Sequence, residues 1–168
     1  MALVRVEYGD LDALERKVST IAEEATTIAK FAVYDGAKVA ADALRVATNS
    51  LQAVSDYDAI NAKRRGERTY ISYKQKLGLQ NGLGIAKMRV DSDSVDTRVS
   101  FGGMNTVITP RWPTGQPNVM VAAEVNHGTS GRTIRQPFVT VSEELYRKDI
   151  IRAMIRTATE KITEILDS

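Results

Sequence analysis

Apolar residues recur at Leu11, Leu14, Val18, Ile21, Ala25, Ile28 and Ala32, then at Val39, Ala43 and Val46, the three-four spacing of one helical face. The pattern predicts a long N-terminal helix from Asp10, a residue type that caps helix starts. Asp35-Gly36 falls inside it and is a place for a kink or a split, because Gly costs about 1 kcal/mol relative to Ala in a helix interior. The face is rich in Ala, so a neighbouring backbone can come close, by ordinary packing within one subunit or between subunits. Before it, residues 3–8 are β-prone and read as a short strand ending at Gly9.

Farther along, Ala86, Met88 and Val90 alternate with Lys87 and Arg89 at the end of the run Leu83 to Val90, and Val95, Thr97, Val99 and Phe101 alternate with Asp96, Arg98 and Ser100. A period of two on both sides of Asp91-Ser-Asp-Ser predicts an antiparallel hairpin. Thr106 to Thr109 reads as another short strand. Pro110, Pro113, Gly115 and Pro117 make 110–118 a stiff loop. Val119 to about Asn126 fits a short helix capped by Asn118, and Val119-Met120-Val121 fits a strand equally well. After the loop 127–131 and Pro137, Thr140 and Glu143 stand in capping-box spacing. Leu145, Ile151, Ile155, Ala158, Ile162 and Ile165 then mark a long amphipathic C-terminal helix. The fold expected is one α+β domain over 1–168, with long N-terminal and C-terminal helices packed on a small antiparallel sheet.

Charge changes this picture in one place. The chain of 168 residues carries 23 Lys and Arg against 21 Asp and Glu, too balanced for a histone-like nucleic-acid binder. Residues 61–76 nonetheless hold six positive charges and one negative, while residues 1–60 hold six positive and ten negative. This stretch reads as a projecting loop. Its Lys63, Arg64, Arg65, Arg68, Lys74 and Lys76 suit phosphates, with Tyr70 and Tyr73 to stack on unpaired bases. A mobile basic loop ordered on a neighbouring subunit's acidic helical face, or one merely solvated, accounts for the same residues.

Catalytic and metal chemistry find little to build on. The sequence has no Cys, which removes disulfides, thiolate metal sites and a cysteine nucleophile. His127, the single histidine, stands near Glu124, Thr129 and Ser130, but no Gly-x-Ser-x-Gly elbow presents a serine to it. Gly128-Thr-Ser-Gly-Arg132 is similar to an anion-cradling loop without the surrounding pattern of a phosphate-binding motif. Asp91 and Asp93 have two spacings of a calcium loop and lack its glycine and terminal glutamate. No cofactor or metal is expected. No window approaches the roughly 20 apolar residues that span a bilayer, so a soluble, cytosolic chain is expected.

Three pieces form an ordered set over about half of the chain. They are Gly82-Leu-Gly-Ile-Ala-Lys87 with the strand ending Val99-Ser-Phe-Gly-Gly103; Trp112-Pro-Thr-Gly-Gln-Pro-Asn118; and Glu124-Val-Asn-His-Gly-Thr-Ser130 with Arg135-Gln-Pro-Phe-Val139. The set resembles the neck or tail-component family of minor structural proteins of long-tailed bacteriophages, departing from it at His127 and at Thr140-Val141. The resemblance implies a non-enzymatic virion subunit at the head–tail junction or upper tail, made in the host cytoplasm. Its partners would be copies of itself in a ring, with sixfold symmetry suggested by the family's setting, and connector, tail-terminator or tail-tube proteins. Non-specific contact with packaged DNA is the alternative role for 61–76. Ring subunits need two unlike complementary surfaces. The interface residues expected are Lys63, Arg64, Arg65, Arg68, Arg111, Trp112 and Arg132, since Arg and Trp dominate binding hot spots. For Trp112, a cap over the protein's own sheet is the competing reading.

Overall fold

The computed structural model describes residues 8–129 and 132–168, and it is the α+β fold the sequence predicts. Helix α1 (Tyr8–Ser50) leads through β1 (Ala53–Val54), α2 (Asp56–Arg64) and β2 (Ile71–Ser72) into α3 (Tyr73–Gly82). Strands β3 (Leu83–Ile85), β4 (Arg89–Val90), β5 (Val95–Asp96) and β6 (Val99–Phe101) follow, then α4 (Asn118–His127) and α5 (Phe138–Asp167).

The predicted hairpin forms, with β3 antiparallel to β6 and β4 to β5. Its tip departs from the expected alternation: Ala86 and Val90 are exposed, because the chain loses its pleat between β3 and β4. A third ladder, β1 with β2, is parallel and was not legible in two residues per strand. Thr106 to Thr109 forms no strand; Thr109 instead closes a tight turn onto Trp112 through paired backbone bonds of 3.1 and 2.9 Å. Residues 119–126 resolve as helix.

Helix α1 begins before Asp10, at Tyr8, so Gly9 and Asp10 lie within it; residues 3–7 of the predicted strand are outside the described residues. It also runs unbroken through Asp35-Gly36. There the glycine is the crossing point with α5: a Cβ on Gly36 would stand 2.6 Å from Met154 Cγ. One residue away, the Thr157 hydroxyl donates to Asp35 Oδ2 at 2.7 Å. The seam between α1 and α5 is built from small residues, with Ala32, Ala37, Ala43, Ser142, Ala153 and Thr157 buried.

Of the apolar stripe predicted on α5, Leu145, Ile151 and Ile155 are exposed, whereas Ala158, Ile162 and Ile165 are half-buried. Leu14, Val18 and Val46 of the α1 pattern are exposed too, whereas Ile28 and Ala32 are buried. The Thr140/Glu143 capping box does not form either. Asn126 of α4, itself buried, accepts from the N–H groups of Val139 and Thr140 at 3.0 and 3.2 Å and caps α5 from across the fold.

The main core is Leu51, Ile71, Leu79, Phe101, Val121, Ala122, Val125 and Phe138, with the Phe101 and Phe138 rings 5.7 Å apart. It gathers where the end of α1 meets α3, α4, β6 and the start of α5. The rest of α1 and α5 continues away from this body as a two-helix arm, whose far end is marked by Lys17 donating to the carbonyl of Leu166. At 1.5 Å per residue, Val18 lies about 48 Å along α1 from Ser50.

Candidate assembly surfaces

Residues 61–76 are not one projecting loop. They contain the last turn of α2, β2 and the first turn of α3, because each helix carries its own start signal. Ser55 accepts from the Asp58 N–H at 3.0 Å, and Ser72 with Gln75 forms a reciprocal capping box. The basic side chains are correspondingly divided. Arg65 makes two 2.8 Å bonds to Glu67. Lys74 pairs with Asp56 at 3.3 Å. Lys76 donates to the carbonyls of Asn49 and Leu51 at 2.8 and 2.7 Å, closing the end of α1, which has no basic residue in its own last turn.

Lys63, Arg64 and Arg68 remain exposed, with no ion pair among the described residues. The fold brings a further cation to Arg68. Thr69 pairs in parallel with Thr133 through bonds of 2.9 Å on both sides, which sets Arg68 and Arg132 at neighbouring register positions. Arg111 occupies the tip of the Thr109–Trp112 turn with its guanidinium 5.5 Å from the Trp112 ring centroid. Trp112 is half-buried, intermediate between the interface and cap readings.

Loop 110–118 is loop up to Asn118, the first residue of α4, and is anchored by polar contacts. Gln75 Nε2 donates to Gln116 Oε1 at 2.7 Å, and both side chains are buried. Gly115, at φ +114°, sits where a Cβ would meet the Asn105 carbonyl at 2.1 Å, so only glycine fits. Asn118 does not cap α4; its Nδ2 donates to the Gly102 carbonyl at 2.8 Å and ties the helix start to the end of β6.

Beside these cations lies an apolar surface that sequence reasoning missed. Tyr57 and Ile60 on α2, Tyr73 and Leu77 on α3, and Met104 and Ile108 on the following loop are all exposed, Tyr57 by 74% and Ile108 by 71%. Between α2 and the loop is a cleft of about 290 Å³ walled by Ala59, Ile60, Val107 and Ile108, with Lys63 and Lys74 at its edge. Burial pushes the Asp56 carboxyl up, but hydrogen bonds from Ser72 and Lys74 outweigh it and hold the group below the ordinary aspartate range, so Asp56 stays ionised at neutral pH. Tyr57 and Ile60 stand three apart on one helical face, a signal present in the sequence but overshadowed by the charge run that follows.

The chemical candidates are not assembled as sites. His127 is exposed at the end of α4, 3.3 Å from Asn126 Nδ2, and Ser130 lies outside the described residues. In the anion-cradle candidate, the Gly128 N–H is committed to the Glu124 carbonyl at 2.8 Å and that of Thr133 to Thr129 Oγ1 at 3.0 Å. Asp91 pairs with Arg89 at 2.9 Å in the hairpin turn. Among the described residues no three His, Asp or Glu side chains gather as a metal site, and no helix is long and apolar enough to cross a membrane.

No protein-family model matches the chain, and neither curated proteins nor solved structures give a match.

Proposed function

We propose that the chain is a structural subunit of a long-tailed bacteriophage, working at the head–tail junction or upper tail as part of a ring that completes the tail or joins it to the head. The observation that carries this reading is the ordered motif set, from Gly82–Lys87 through Trp112–Asn118 to Glu124–Val139. Two unlike exposed surfaces support it: the basic, apolar end around Ile60 and Ile108, and the helical arm with Leu14 and Val18. A ring of identical copies needs such a pair, because each copy presents one surface to the neighbour before it and the other to the neighbour after it. In this reading assembly is the activity, and Arg111, Arg132 and Trp112 contribute to contacts between copies or with connector and tail proteins. The test is compositional. Purified particles or their precursors should contain the chain at a fixed stoichiometry, with density at the neck; its absence from both overturns the reading.

A second reading has its own observation, the exposure of Lys63, Arg64, Arg68 and Arg132 without acidic partners among the described residues, with Arg68 and Arg132 at neighbouring register positions. Exposed, unpaired cations of this kind suit the lining of a channel that carries DNA. Neutralising Lys63, Arg64 and Arg68 together should then cost DNA retention steeply and flatten its salt dependence by about three units of log–log slope. Under the assembly reading DNA retention is unchanged.

A further inference from the structure

We infer that the acidic tip of the helical arm of one copy docks on the basic, apolar end of the next copy, so that the chain associates head to tail. The inference rests on the assembly reading only in taking the partner to be a second copy of this chain; the contact itself is argued from charge and placement.

The arm tip, residues 12–24 of α1 with 160–167 of α5, carries seven acidic and three basic residues. Asp12, Glu15, Glu23, Glu24, Glu160 and Glu164 are all exposed there. Leu14 and Val18, one helical turn apart, are exposed by 52% and 54%. Both lie on the same helical face as the buried Ile28 and Ala32, but at the tip of the arm they are left half exposed.

The other end, residues 56–76, 104–112 and 132–135, carries nine basic and three acidic residues. It also holds the cleft of about 290 Å³ walled by Ile60, Val107 and Ile108. Each end offers apolar side chains within a field of one sign, and the signs are opposite. Like ends repel and unlike ends attract, which disfavours pairing of two like ends.

Placement makes the contact intermolecular. Val18 is separated from Ser50 by about 48 Å of continuous helix, and the cleft belongs to the body at the Ser50 end, so no chain can bring its own arm to its own cleft. Heterologous contacts of this kind generate a ring when the rotation closes and a filament when it does not.

The natural absence of Cys allows a direct test. A chain carrying both Val18→Cys and Ile60→Cys, mildly oxidised, should yield a covalent ladder with steps of one chain, or a closed ring, while each single variant stays uncrosslinked. Asp12→Lys with Glu15→Lys should weaken self-association measured by light scattering by about tenfold or more, and adding Lys63→Glu with Arg64→Glu should recover most of it. All six positions are exposed, so unchanged circular dichroism and melting temperature serve as the folding control.

Cross-linking of Val18→Cys alone, or of Val18→Cys with Leu145→Cys in preference to Ile60→Cys, overturns this contact while leaving assembly intact. A chain that stays at 18.5 kDa and uncrosslinked at every concentration overturns it too, and the virion reading is then decided separately by particle composition.

Discussion

Asp35 illustrates how one side chain inside a long helix can be held by another helix. The Thr157 hydroxyl, then Lys38, hold its carboxyl below the ordinary aspartate range, against the opposing effect of burial. A carboxylate whose pKa is lower folded than unfolded stabilises the fold above its unfolded pKa. That contribution is lost as pH falls through the lowered, folded value. The α1–α5 seam should therefore weaken on acidification below about pH 4. Thr157→Val keeps the shape and removes the donor. It should lower the urea midpoint at neutral pH by an amount corresponding to about 1 kcal/mol and flatten the acid limb of the midpoint-versus-pH curve. A variant whose acid limb parallels the parent's would show that Asp35 is not the group responsible.

At the scale of elements, periodicity located the two long helices; on α1 its face includes the buried Ile28, Ala32 and Ala43, whereas on α5 it picked out Leu145, Ile151 and Ile155, which are exposed. Leu145, Ile151 and Ile155 announce a helix because they repeat at helical spacing, yet α1 and α5 meet along a seam of smaller residues. Here Gly36 meets Met154 and Ala32, Ala43, Ala153 and Thr157 are buried. The same limit explains the caps. Thr140 and Glu143 have the right local spacing, but Asn126 reaches the α5 start from another helix, and no local pattern announces a contact made 13 residues away in the chain. In the basic run the start signals of Ser55 and of Ser72 with Gln75 are local and outweigh the charge pattern that suggests a loop. The hairpin was legible because both its signals, period two and a turn, are local. A direct comparison follows. Ile155→Gln should change stability by no more than about 0.5 kcal/mol. Ala153→Leu, which pattern alone would rank as harmless, should cost about 1–3 kcal/mol through overpacking, both read from chemical denaturation.

The whole molecule is a dense body with a long, thinly supported arm, and this asymmetry bears on how it holds together before assembly. Residues 28–48 of α1 bury one side chain after another against α5 and the body, while those of 12–27 are nearly all exposed. Backbone hydrogen bonds in the outer half are shielded by a single neighbouring helix, so they open by local fraying; those of the inner half open only with the body. Amide exchange in 12–27 should accordingly be faster than in 28–48 by about a hundredfold or more in the dilute chain. Under the proposed docking Leu14 and Val18 become buried on a second copy, and protection of 12–24 should then rise with protein concentration while that of 28–48 stays level. Salt should reverse the rise, because charges of opposite sign on exposed surfaces are screened beyond about 8 Å at physiological ionic strength. An arm whose exchange ignores both concentration and salt would be held by its own chain alone, and its exposed leucine and valine would need another partner.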